Sequence, residues 1–346
     1  MDNGKNNIND TASNNKTMEY YNVTKSIINQ TLTEVDNDTK LEGEARDLAR
    51  KAEKKLKRRC CLYALIHSKE ERLIESCQLY KKAGDKFKMC NQWKKAGLCY
   101  ENCAYIKLRL KEKPINFYIN AYNCYNKIDI GNESKVVFDK MNSYLEKDKN
   151  YFQVAKNYEE LAIQKEIKKK YEEAMDLYFK SSIYYERDGK NENLKNEMKI
   201  KTAELMMKIE HEKASKEVPT ILENAGVNYL KIRGRENEAK ELFGEAILCS
   251  LYFEDNPNIG NTLIDKYNKI DKSFQYSNIY NLCVGVINSM ENHDFKKLNY
   301  VIQKYKESYE IDQFMEDILD KIIEKEKKLH NIKESLSSDF NNFDDD

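Results

Sequence analysis

From Leu41 onward, apolar and small residues recur every three or four positions, the period of one face of a helix. Ala45, Leu48, Ala49, Ala52 and Leu56 mark the first long helix. Ile74, Leu79, Ala83 and Phe87 mark the next, and Trp93, Ala96, Tyr100 and Ala104 its partner. The pattern continues through Phe117, Ala121 and Tyr125, then Phe138, Met141 and Tyr144. Phe152, Ala155, Tyr158 and Ala162 are answered by Tyr171, Ala174, Tyr178 and Ser182. The spacing predicts antiparallel helices of about 15–20 residues over 41–330, within the ordinary range for globular helices. Asp188-Gly189-Lys190-Asn191 and Arg233-Gly234-Arg235 supply stops and turns, and Pro257 with Asn256, Asn258 and Gly260 another break.

One helix start is more specific. Trp93, Ala96, Gly97 and Tyr100 read W-x2-A-G-x2-Y, one letter from the tetratricopeptide signature W-x2-L-G-x2-Y. Ala225-Gly226-x2-Tyr229 echoes it, and E-A-x3-[YF] recurs at Glu173-Ala174-Tyr178 and Glu238-Ala239-Phe243. The echoes are unevenly spaced, so the repeat is degenerate. The expected fold is all-α: a tetratricopeptide-like superhelix of antiparallel helix pairs over 41–272, capped by a C-terminal helical bundle over 273–330. Residues 1–40 are rich in Asn, Thr and Asp without apolar periodicity, which predicts a largely disordered extension. Residues 331–346 form an acidic tail in which Phe340 and Phe343 stand out.

Composition agrees with long two-faced helices: of 346 residues, 34% are charged and 40% hydrophobic, with only 3 prolines and 11 glycines. Net charge is zero, so nothing argues for nucleic acid. Charge is nevertheless uneven. Lys51 to Lys113 holds 18 Lys/Arg against 7 Asp/Glu, and Glu307 to Asp346 holds 5 against 13. This reads either as solvated helix faces or as two partners, an acidic one at the front and a basic one at the back. The nine cysteines lack metal-ligand spacing; Cys99 and Cys103 share a helix face and read as small packing residues. No signal peptide and no run of 18 apolar residues is present, so a cytosolic chain with reduced thiols is expected. The histidines His67, His211, His293 and His330 are scattered, and no Gly-rich phosphate loop or nucleophile motif occurs. No enzyme, cofactor or metal is therefore expected.

The run Glu53-Lys54-Lys55-Leu56-Lys57, then Leu73 to Tyr80 (LIESCQLY), then Phe87-Lys88-Met89-Cys90-Asn91-Gln92-Trp93, resembles the opening of the soluble NSF attachment proteins. Ile311-Asp312-Gln313-Phe314 and Ile318-Leu319 resemble that family's last helix. The likeness spans about Leu41 to Lys328 and is nearest the alpha/beta branch. It implies a stack of tetratricopeptide-like helices ending in a bundle. It also implies an adaptor that hydrolyses nothing. Several copies, each a monomer alone, coat the four-helix SNARE complex left after membrane fusion. They then recruit the hexameric ATPase NSF, which pulls the complex apart. The implied location is cytoplasmic, peripheral on the cytosolic face of membranes. The alternative is a tetratricopeptide-type co-chaperone or scaffold for other protein partners.

The resemblance also implies three working surfaces. Leu62, Tyr63, Leu65 and Ile66 fall where the family has an apolar membrane-touching loop. They follow the basic run Lys54, Lys55, Lys57, Arg58 and Arg59, a combination suited to an anionic membrane surface. The neighbouring Cys60-Cys61 could accept palmitate. These residues could equally extend the first helix and pack inward. Lys127, Lys156 and Lys201 fall on basic SNARE-contacting positions. A further family lysine is replaced by Glu197; Lys195 and Lys199 flank it as compensating SNARE contacts, although they are expected to point to different sides of the helix. Glu254 and Glu291 match acidic ATPase-contacting positions, Asp255 and Asp294 add charge beside them, and Phe343 stands for an apolar residue near the family's C-terminus.

Overall fold

The computed structural model describes residues 40–57, 68–128, 131–254 and 256–341. The expected membrane patch (Leu62, Tyr63, Leu65, Ile66), Asp255, Phe343 and the extension before Lys40 lie outside the described residues. Among those described, the chain is all-α, with fourteen α-helices, one 3-10 turn and no strand. The helices α1 (Lys40–Lys57), α2 (Lys69–Met89), α3 (Trp93–Arg109), α4 (Ile115–Lys127) and α5 (Gly131–Lys147) form one compact unit, ending at Asp148. The second unit, from Lys149, holds α6 (Tyr151–Ile167), α7 (Tyr171–Asp188), α8 (Glu192–Lys208), α9 (Ala214–Tyr229) and α10 (Glu236–Phe253). It continues through α11 (Asn258–Ile270), the 3-10 turn Phe274–Tyr276, α12 (Asn278–Glu291), α13 (Phe295–Ser308) and α14 (Gln313–Asn341).

Within each unit successive helices pack on one another as tetratricopeptide-like hairpins. Small residues set the spacing. In α1 the buried apolar face is Ala45, Ala49 and Ala52, and the Ser76 hydroxyl of α2 reaches the Ala52 carbonyl at 2.9 Å. Ser68 starts α2 with a capping box: its hydroxyl accepts from the Glu71 amide at 3.0 Å, and its own amide donates to the Glu71 carboxylate at 2.8 Å.

The glycine of the tetratricopeptide-like motif has a definite task. A Cβ on Gly97 would lie 2.6 Å from the ring of Tyr125, and one on Gly226 would lie 2.7 Å from the ring of Phe243. In both copies of A-G-x2-Y, therefore, the glycine receives an aromatic ring from the following helix. Tyrosines mark the seams in a second way. Tyr100 donates to Asp85 at 2.7 Å, Tyr125 to Glu101 at 2.7 Å, Tyr178 to Glu166 at 2.6 Å and Tyr185 to Glu159 at 2.5 Å. In each case the acceptor sits on the preceding helix. The ring is buried against its neighbour while the hydroxyl reaches a carboxylate at the rim. Burial first, and then the carboxylate, hold all four hydroxyls protonated.

Several helices end without glycine. Asn91, Lys111, Lys149, Lys169, Glu210 and His293 take positive φ, between 52° and 58°. Gly189 and Gly234 are the described glycines with positive φ, at the two stops read from the sequence.

The second unit has its own dense core. Helix α10 packs against α9, α11, α12 and α14, and its ten residues from Leu242 to Leu251 are all buried. A helix apolar on all sides belongs inside a core. Phe243 stacks on Tyr267 at 4.5 Å between ring centroids, and Phe274 meets both rings edge-on. The helices from α12 onward, expected as a terminal bundle, share one hydrophobic core with α9, α10 and α11.

Candidate functional site

Helix α8 separates the lysines that the sequence groups together. Residues four apart on a helix share a face, and residues five or six further round do not. Lys195 and Lys199 line a single cavity of about 460 Å³. This corrects the expectation that they point to different sides. Lys195 is only 9% exposed and is paired with Glu192 and, at 3.7 Å, with Glu186. Lys201 lies on the opposite face, bonded to Glu204 at 2.5 Å. Burial opposes its charge, but Glu204, with Glu166 and Asp312 beyond it, outweighs burial and raises its pKa. Glu197 is bound by the Arg235 guanidinium at 3.2 Å, so the expected charge reversal is neutralised by a helix the sequence did not associate with it.

Lys127, at the end of α4, is exposed, and Lys156 on α6 is half-buried. Neither forms an ion pair among the described residues.

Three of the expected acidic positions stand at helix ends of the second unit. Glu254 caps the C-terminus of α10, Glu291 closes α12 and Asp294 caps α13, accepting from the Lys297 amide at 2.9 Å. Gly260 lets α11 approach its neighbours closely, because a Cβ there would lie 2.7 Å from Ile287 of α12 and 3.1 Å from Leu251 of α10. The Glu291 carboxylate accepts from Asn261 on α11 at 2.7 Å. Lys325 of α14 donates to the carbonyls of Tyr252 and Glu254 at 2.8 and 3.0 Å, closing the C-terminus of α10. Glu254, Glu291 and Asp294 are exposed, and none is in an ion pair among the described residues.

The cavity beside Lys195 and Lys199 has α8 as its floor, Phe179 of α7 on one side and α9 on the other. Most of its lining was not singled out in the sequence, Asn196 and Lys216 included. Asn196 is 2% exposed; its Oδ1 accepts from Asn228 at 3.3 Å while its Nδ2 has no hydrogen-bond partner. The sequence signal was weak: a polar stripe at Lys195, Lys199 and Thr202, facing another at Lys216, Thr220 and Asn224. Each has helical spacing, but nothing local says that the two stripes meet.

No group of three or more His, Cys, Asp or Glu that could hold a metal occurs among the described residues, and none of their helices is long and apolar enough to cross a membrane. Cys77, Cys99, Cys103, Cys124, Cys249 and Cys283 are buried.

Comparison with known proteins accords with the helix pattern. The beta-soluble NSF attachment protein of Bos taurus is 24% identical over 82% of this chain and 94% of its own length. The alpha-soluble NSF attachment protein of Homo sapiens is 23% identical over 82% and 95%. The vesicular-fusion protein SEC17 of Komagataella phaffii is 26% identical over 72% of this chain and 84% of its own. The family model described as soluble NSF attachment protein, SNAP, matches residues 43–327, from the first turn of α1 into α14. The chain belongs to the soluble NSF attachment protein (SNAP) family.

Proposed function

We propose that this chain is an adaptor, and not an enzyme, that binds assembled SNARE complexes and recruits the NSF ATPase for their disassembly in vesicle fusion. One observation carries the reading: the family match runs through every described helix, and relatives covered over most of their length are named for NSF attachment and vesicular fusion. Two different groups of residues would serve the two partners. An acidic helical bundle would be met by Lys127 of the first unit and by Lys156 of the second, whose charges are not committed to ion pairs among the described residues, and by Lys201, while Lys199 turns into the cavity it shares with Lys195. Lys195, buried and paired, contributes least. The basic partner would meet Glu254, Glu291 and Asp294, with Asp255 and Phe343 adding to that surface. Leu62, Tyr63, Leu65 and Ile66 would rest on an anionic membrane, which makes the adaptor peripheral on the cytosolic face.

The test is a pull-down from detergent extract with a non-hydrolysable ATP analogue. The wild-type chain should retain both SNARE proteins and the ATPase. Lys127→Glu with Lys156→Glu should lose the SNARE proteins, and raised salt should reproduce that loss, because the contact is between charges. Glu254→Lys with Glu291→Lys should lose the ATPase and keep the SNARE proteins. Retention of neither partner by the wild-type chain would overturn the reading.

A further inference from the structure

We propose that the cavity between α7, α8 and α9 is a binding site for a small phosphate monoester carrying a ring. At about 460 Å³ it falls within the range of small-molecule sites. Its cations are Lys195, Lys199 and Lys216, set against one carboxylate, Glu217. Lys195 is already balanced by Glu192 and Glu186. Lys199 and Lys216 form no ion pair among the described residues, so two positive charges face one concavity from two different helices. With Glu217 counted the site keeps a net positive charge, and Lys199, Lys216 and the Asn196 amide offer donors from two helices that a phosphate's three terminal oxygens can match and a carboxylate's two cannot.

The buried amide of Asn196 points the same way. An unpaired buried donor costs free energy that a ligand acceptor recovers. Asn228 holds the Asn196 carbonyl oxygen and so fixes which side of the amide remains open. Opposite the lysines stands Phe179, an aromatic ring left 51% exposed on the cavity wall, with Ile221 also lining it. An apolar wall beside a dianion-sized cluster of donors suits a ligand with a flat or cyclic body joined to a phosphate. The lining residues sit on helices and not on loops, which holds the donors in place.

The site is independent of the adaptor reading, since it is measured on the chain alone, and its failure would leave SNARE and ATPase binding untouched. The experiment titrates the purified full chain with phenyl phosphate, inorganic phosphate and benzoate, following binding by calorimetry. Phenyl phosphate should bind at least about tenfold more tightly than either fragment, the difference expected when charge and ring contacts combine. Lys216→Glu, a surface change, should weaken phenyl phosphate about tenfold or more by placing a like charge at the site. Asn196→Asp, checked for retained helicity, should do the same. Vesicles containing phosphatidylinositol phosphate, bound by wild type and released by both variants, would identify a lipid headgroup as the source. Binding of free phenyl phosphate without vesicle binding would identify a soluble organic phosphate. Benzoate binding as tightly as phenyl phosphate, equal affinity in both variants, or no binding at millimolar concentration would each overturn the proposal.

Discussion

Glu42 in the first unit and Glu245 in the second are both buried carboxylates, and the two do opposite things. Glu42 in α1 is 4% exposed and is held by the Arg46 guanidinium at 2.9 Å and the Lys95 ammonium at 2.7 Å. The Lys95 hydrogen bond, working against burial and aided by Arg46, pulls its pKa below the ordinary carboxylate value. Glu245 in α10 is 8% exposed, and the charges that act on it are those of Asp312, Glu204 and Glu241. Burial first, then those three carboxylates, push its pKa well above the ordinary value. The front unit therefore docks an alanine-faced helix with the help of a buried ion cluster. The rear unit relies on aliphatic and aromatic burial around α10 and tolerates a carboxyl whose charge burial and neighbouring carboxylates disfavour. Burial alone does not set a group's charge state; the neighbours brought by adjacent helices do.

The comparison breaks most readily at the rear core. Phe243→Ala removes a fully buried ring that touches Tyr267 and Phe274, and should cost about 3–5 kcal/mol in urea unfolding. An effect below about 1 kcal/mol would mean that α10 is not the hub of that unit.

Glu42→Gln should cost about 2–3 kcal/mol near neutral pH, somewhat under the loss for a wholly buried pair, because Arg46 and Lys95 lose their charge partner. The pH dependence has a definite sign. A carboxylate with a lowered folded pKa stabilises above its unfolded value near 4.5, and that contribution is lost as pH falls through the folded pKa. Wild type should therefore lose stability in acid in a way that Glu42→Gln does not.

Glu245 runs the other way. With a raised folded pKa, its contribution is fully present below the unfolded value near 4.5 and is lost as pH rises through the folded value. Glu245→Gln should stabilise the chain at pH about 7.5 by roughly 1–2 kcal/mol, since the buried charge no longer has to be suppressed. The gain should shrink toward pH about 5, measured by thermal melts. A variant less stable than wild type at both values would show that Glu245 is ionised and satisfied in the fold.

The smallest effects separate two glycines of the front unit. Gly97→Ala should cost about 1–3 kcal/mol despite its better helix propensity, because its Cβ would press into Tyr125. Gly43→Ala, with nothing within 4 Å of the added carbon, should stabilise by about 0.5–1 kcal/mol. Equal effects at the two sites would mean that the tight approach of α4 to α3 is not what Gly97 serves.

Much of this was legible in the chain. The helical period, the positions of Gly189 and Gly234, and the small-residue and ring pattern of A-G-x2-Y all followed from residue types at fixed spacings. Those features are local: they depend on 3.6-residue periodicity and on what a helix interior or turn will accept. The order of short motifs along the chain was enough to place it in its family.

What only the tertiary structure decided is which faces meet. The sequence set Lys195 and Lys199 on different sides of their helix beside the SNARE-contacting Lys201, but α8 turns the first two into one cavity with Lys216 and the third toward Glu204. It marked Glu197 as a charge reversal, and Arg235, at the N-cap of α10, neutralises it. Helix turns passing through Asn91, Lys169 and His293 carry no glycine to announce them, because the surrounding helix contacts can outweigh the modest cost of a left-handed residue. Periodicity says which residues share a face of one helix; the charge, burial and partners of that face are set by the neighbouring helix, and that choice is not written in any one segment.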